Sequence, residues 1–339
     1  MRAVGLAALG AVLAAAAVGT YWLATDVERF MQTPMNVPAG GYPLLVKRGE
    51  SLSAVADRLA TDAVLTHPRY LAGFARWHER DRRIQAGEYL VPHRATPARL
   101  LEMMERGEIV RHRVRLIEGW SWRRALAEIQ SHPLVRSTIE IPADFTRQLD
   151  LPTRNPEGWF LPATYEFRRG STDVVLLEMA HRAMVEHLDT AWAERSPELP
   201  YRNPYEALIL ASIVEKEAAV ADERPRIAGV FVRRLKRGMR LEADPTVIYG
   251  LGETFDGNLT RKDLRQDTPY NTYRRAGLPP TPIALPGAAA LHAALHPAGG
   301  DALFFVASEH GRHVFSATLA EHRRAVDIWQ RGRRSGKSP

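Results

Sequence analysis

"ILASIVEKEAAVADERPRIAGVFVRRLKRGMRLEADPTVIYG", residues 209–250, decides how this chain is read. Its apolar spacing predicts a helix from about Tyr205 to Lys236, with a break at Pro225. Glu215 and Glu217 stand near the middle, two residues apart, and so point to nearly opposite sides of that helix. Glu217 shares its side with Leu210, Ile213, Val214, Ala218 and Ala221, whereas Glu215 lies with Leu208, Ala211 and Ser212, and Asp222 lies beyond. An acid on the more apolar stripe is disfavoured in its charged form, and chemistry is the reason to put one there.

The chain of 339 residues is 45% hydrophobic, enough for cores in two or three domains. A net charge of +7 and a pI near 9.8 suit an anionic surface such as lipid head groups, wall polymer or nucleic acid. The complete lack of cysteine excludes disulfides, thiolate metal sites, cysteine nucleophiles and an acylated lipoprotein cysteine. No charged residue occurs from Ala3 to Thr25. As a helix that stretch spans roughly 34 Å, the thickness of a bilayer's hydrocarbon core. Tyr21 and Trp22 fall where an outer interfacial belt lies, with Arg2 holding the start inside. The expectation is a transmembrane anchor over 1–25, with the body of a single-pass protein facing outward. A cleaved signal peptide ending near Ala15-Ala16-Ala17 is the alternative.

Residues 26–40 read as a Pro/Gly linker. Residues 41–108 read as strand, helix, helix, strand and a further helix opened by Thr96-Pro97. From 109 to 330 the pattern is mixed: a strand in "VRHRVRLIEG", a helix opened by Ser121, an aromatic stretch over 157–172 and a helix over about 173–193. "DPTVIYG" and the segment from Leu303 read as short strands, ahead of a closing helix; 331–339 reads as a disordered basic tail. Both element types alternate without a βα rhythm, which predicts an α+β fold.

The stretch 44–90 resembles a LysM-type glycan-binding module, through "VKRGESLSAVADRL" and "AGEYLVP". From residue 118 onward "EGWSW", "EGWFLPATY", "ASIVEKEA", "RLKRGMRLEADPTVIYGLG", "PYNTYRRAGLPPTPIALPG" and "HPAGGDALFFVA" occur in the order found in the YceG-like family. The chain thus resembles the endolytic murein transglycosylases of the MltG type. That resemblance implies cleavage of the β-1,4 bond between N-acetylmuramic acid and N-acetylglucosamine in nascent glycan strands, leaving 1,6-anhydro-muramoyl ends. It implies no cofactor, an inner-membrane location with the catalytic body in the periplasm, and partnership with penicillin-binding proteins. A hydrolytic muramidase and a catalytically silent wall-binding scaffold are the rival readings.

A glycosidase normally needs two carboxylates. A lytic transglycosylase manages with one, which protonates the leaving oxygen and then accepts the proton of the sugar's own C6 hydroxyl. Such a carboxyl must start protonated, so an apolar wall is the place for it. The family pattern makes Glu217 the acid, and Glu215 is its rival. Asp244, Thr246, Tyr270, Asn271, Thr272 and Tyr273 offer hydrogen bonds and aromatic faces for binding sugar, with Asp244 also a rival second carboxylate. The charged run after Arg224 has apolar residues between its charges, so it reads as a solvated helix face and not as a nucleic-acid surface. His292 and His296 have metal-ligand spacing but no evident third ligand, so no metal is expected.

Overall fold

The computed structural model describes residues 2–140, 149, 151–308 and 311–331, with side chains from 11 to 329. The chain is α+β and divides into two compact units, 1–112 and 113–339.

The first unit begins with one continuous helix, α1 (Arg2–Gln32), followed by β1 (Tyr42–Val46), α2 (Leu52–Thr61), α3 (Pro68–Trp77), β2 (Gly87–Val91) and α4 (Pro97–Arg106). β1 and β2 pair antiparallel, Tyr42 opposite Val91 and Val46 opposite Gly87. Alternation puts Leu44, Val46, Tyr89 and Val91 on the buried face, against Val55, Leu59, Leu71 and Leu100 from the helices. Ser51 and Thr96 cap α2 and α4 by accepting from Ala54 N–H and Arg99 N–H. The linker expected over 26–40 starts later than the sequence suggested. Residues 26–32 are helical, and Met31, Met35 and Val37 are buried in this unit's core, because apolar side chains at that spacing find a surface to cover. Among the described residues no helix is long and apolar enough to cross a membrane; the side chains of 2–10 lie outside them.

In the second unit β3 (His112–Arg115) pairs with β4 (Thr164–Phe167), and α5 (Trp122–Ser131) and α6 (Asp173–Ala193) pack with them around Phe160, Leu176 and Leu177. A second cluster is built by α7 (Pro204–Glu217), α8 (Arg224–Lys236), α9 (Asp244–Leu251) and α10 (Ala288–Leu295). The hairpin β5 (Phe304–Ala307) and β6 (His313–Ser316), then α11 (Leu319–Val326), complete the unit. Every residue of α7 from Ala207 to Val214 is buried, so this helix is the unit's central rod.

Two expected elements differ. The helix predicted from Tyr205 to Lys236 ends at Glu217, where Ala218 turns to ψ 94°, and a short turn, Ala221–Glu223, leads into α8. Pro225 does not break a helix but sits in the first turn of α8, where no backbone N–H is needed. "DPTVIYG" is the helix α9 and not a strand: Pro245 in the first turn outweighs the β-branched Thr246, Val247 and Ile248. The basic tail lies, from residue 332 on, outside the described residues.

Candidate active site

The end of α7 sorts its two glutamates by what surrounds them. Glu215 is 5% exposed; its Oε1 pairs with the Arg224 guanidinium at 3.2 Å and its Oε2 accepts the Gly287 N–H at 2.9 Å. It is a charged tie between the start of α8 and the loop before α10. Glu217, the last residue of α7, has no cation against it and no hydrogen bond among the described residues. Protein closely surrounds its carboxyl, while part of the residue stays open to solvent. That burial, and then the nearby Asp244 charge, push it up to about 8. The carbonyl end of a helix also disfavours a negative charge. Lys216 between them is exposed and donates to the Gly119 carbonyl at 3.4 Å.

Glu217 opens on a cavity of about 360 Å³ that it shares with Glu242, Asp244, Tyr273, Phe305 and His313. Asp244 begins α9, and its Oδ1 accepts the Tyr273 hydroxyl at 2.6 Å. Burial, then the hydrogen bond to Asp244 and the Asp244 charge, raise the Tyr273 phenol well above its ordinary range, so it is held as a donor.

The other expected binding residues are built into the walls. Thr246 and Thr272 are buried, share a hydrogen bond of 2.8 Å, and fasten Ala243 through its carbonyl and N–H. Asn271, also buried, donates to the Leu264 and Gln266 carbonyls and accepts the Tyr273 N–H at 2.9 Å. Tyr270 meets the Thr281 hydroxyl at 3.0 Å and packs edge-on against Tyr249. The structure therefore brings Glu217, Asp244 and Tyr273 together, and places Thr246, Tyr270, Asn271 and Thr272 behind them.

Three residues that sequence reasoning passed over matter here. Glu242 lines the cavity in a left-handed conformation, φ 53°, held by the Arg234 guanidinium at 3.0 Å. His313 lines it from β6. Glu157, outside the cavity lining, is buried, accepting the Trp122 N–H at 2.9 Å and the Tyr249 hydroxyl at 3.1 Å, and burial pushes it up to about 7. The sequence offered one signal for it, an acid inside the aromatic stretch "EGWF". Among the described residues no three His, Asp or Glu side chains gather as a metal site, and the rings of His292 and His296 pack together tilted by 32°, 4.5 Å between centroids.

The sequence profile of the YceG-like family matches residues 44–328, and the chain belongs to that family. It is 40% identical over 173 residues to an endolytic murein transglycosylase of Bacillus subtilis, covering 50% of this chain and 47% of the relative. It is 32% identical over 176 residues to one of Streptococcus pneumoniae, covering 50% of this chain and 31% of the relative. The matched stretch thus spans less than half of either relative. A crystal structure of a YceG-like protein from Listeria monocytogenes is similar at 26% identity and a TM-score of 0.53, over 85% of this chain and all of the other.

Proposed function

We propose that this chain is an endolytic peptidoglycan lytic transglycosylase with Glu217 as its single acid–base residue. The observation that carries the proposal is a carboxyl pushed up to about 8, with no cation against it among the described residues, at the wall of a cavity. The names of the relatives support the substrate. Glu217 begins protonated and gives its proton to the glycosidic oxygen as the bond from that oxygen to the muramoyl C1 breaks. The resulting carboxylate accepts the proton of the C6 hydroxyl while O6 bonds to C1. The 1,6-anhydro ring closes without consuming water, and Glu217 is again protonated. Asp244 and Tyr273 bind and orient the sugar at C1, and Thr246, Tyr270, Asn271 and Thr272 hold those two in place. No cofactor takes part.

A hydrolytic muramidase is the second reading, favoured by Asp244 sharing the cavity with Glu217. In it Asp244 activates a water and the product ends are reducing.

The reading places the chain at the inner membrane with its catalytic body in the periplasm, anchored by residues 1–25. The uncharged run from Ala3 to Thr25 supports this. Residues 41–108 act as a LysM-like glycan-binding domain, supported by their strand, helix, helix, strand order and antiparallel pair, and 109–330 carry catalysis. Glycan-polymerising penicillin-binding proteins are the partners whose strands it shortens.

Glu217→Gln tests the assignment, since it keeps side-chain size but cannot transfer the proton. Cleavage of isolated glycan strands should fall on the order of 10²–10⁴-fold or more, with the unfolding midpoint and glycan binding retained. Near-normal turnover in that variant would remove Glu217 from the chemistry.

A further inference from the structure

Glu223 and His313 form a carboxylate–imidazole pair on the cleft that carries Glu217. Glu223 closes the turn between α7 and α8 and is buried. Its Oε1 accepts the His313 backbone N–H at 3.1 Å and its Oε2 faces His313 Nδ1 at 2.8 Å. A carboxylate only accepts, so Nδ1 carries a proton toward Glu223, and when the ring holds that one proton alone Nε2 is an acceptor. The side chain of His313 is only 9% exposed, and its ring packs edge-on against Phe305 at 5.3 Å. No hydrogen bond to Nε2 is found among the described residues, and His313 lines the cavity.

The rest of the cleft favours the same kind of ligand. Arg234, which also lines the cleft, spends its Nε on the Leu303 carbonyl and its Nη1 on the Leu241 carbonyl and Glu242. Glu242 and Asp244 add carboxylate oxygens to the same space as the imidazole. Acceptors of this kind suit a ligand rich in hydroxyl donors.

We propose that His313 is a substrate-contacting residue whose Nε2 accepts a hydrogen bond from a sugar hydroxyl in the cleft, with Glu223 as its positioning residue. This rests on the reading of the cleft as a glycan site. The pair fixes both the ring's orientation and its tautomer before substrate arrives, the arrangement by which a carboxylate commonly sets an imidazole for one task. It adds a second fixed point for the sugar across the cavity from the Asp244–Tyr273 pair.

The test uses the full chain carrying Glu217→Gln, so that substrate is bound but not consumed, and uncross-linked glycan strands without stem peptides as the probe. Imidazole nitrogen NMR of this protein should show His313 protonated at Nδ1, and titration with glycan should move its Nε2 resonance with the same saturation curve as binding. Adding His313→Phe should weaken binding about three- to tenfold, the worth of one hydrogen bond. Adding Glu223→Gln instead lets an amide N–H donate to Nδ1. It should move the ring proton to Nε2 and weaken binding similarly, with the unfolding midpoint little changed. An Nε2 resonance that stays fixed while glycan saturates the protein overturns the proposal, however the variants fold. Failure of the Glu217→Gln protein to bind glycan at all overturns instead the reading of the cleft on which it rests.

Discussion

Glu217 differs from Glu215 in environment alone, and that difference sets a pH dependence with a definite sign. Its carboxyl is pushed up to about 8 from an ordinary 4.5 by burial and by Asp244. The acid form is the one that protonates the leaving oxygen, so kcat/KM on glycan strands should hold below that value and fall as pH rises through about 8. The folded state also binds this proton more tightly than the unfolded chain does. The stability it contributes is therefore present below about 4.5 and lost as pH climbs through about 8. Glu217→Gln should flatten that part of the stability curve, and activity rising through pH 8 would contradict the account. The apolar setting of Glu217 was legible in the sequence, because an acid on an apolar stripe is visible from spacing; the role proposed for it rests on the family pattern. Glu242 and His313 were not. Glu242 gains meaning from a left-handed backbone, and His313 from Glu223, 90 residues away in the chain.

At the scale of elements, the cleft depends on α7 ending at Glu217, and Glu215 secures the structure around that end. One carboxylate joins the start of α8, through Arg224, to the loop before α10, through Gly287. Arg224 is 15% exposed, so Glu215→Gln leaves a mostly buried cation with only the half-exposed Glu118, 4.0 Å away, as a charge partner. Urea unfolding should show a loss of about 1–3 kcal/mol, while turnover of the folded fraction changes less than tenfold. An equally stable but inactive Glu215→Gln protein would move the proton transfer to the other glutamate. The helix over 173–193 and the caps at Ser51, Thr96 and Ser121 could be read locally, since each rests on a few neighbouring residues. The end of α7 could not. Residues 218–223 carry no glycine or proline, and the stop is imposed by packing of the turn that delivers Glu223 to His313.

Across the whole molecule, α1 joins the proposed membrane anchor to the core of the first unit without a flexible break. Met31 is 1% exposed among core residues, and Asp26 accepts the Tyr70 hydroxyl at 3.0 Å. A chain starting at Asp26 should keep the first unit intact and cut isolated glycan as the full chain does. A chain starting at Gly41 loses Met31, Met35 and Val37 from that core. It should unfold its first unit more easily by about 3 kcal/mol or more. Equal stability of the two would mean that the end of α1 is not part of the unit's core. The ordered motifs from residue 118 onward made the family readable in outline; the reach of α1 into the core was hidden, because residues 26–40 look polar and proline-bearing when read alone. The central claim is that one carboxyl, Glu217, passes a proton to the leaving oxygen and takes one back from the sugar's own hydroxyl. The mass of the new ends made from purified glycan strands tests it most directly. The account predicts 1,6-anhydro ends, one water lighter than reducing ends, from the full chain and none from Glu217→Gln. Reducing ends from the full chain, or anhydro ends from the variant, would contradict it.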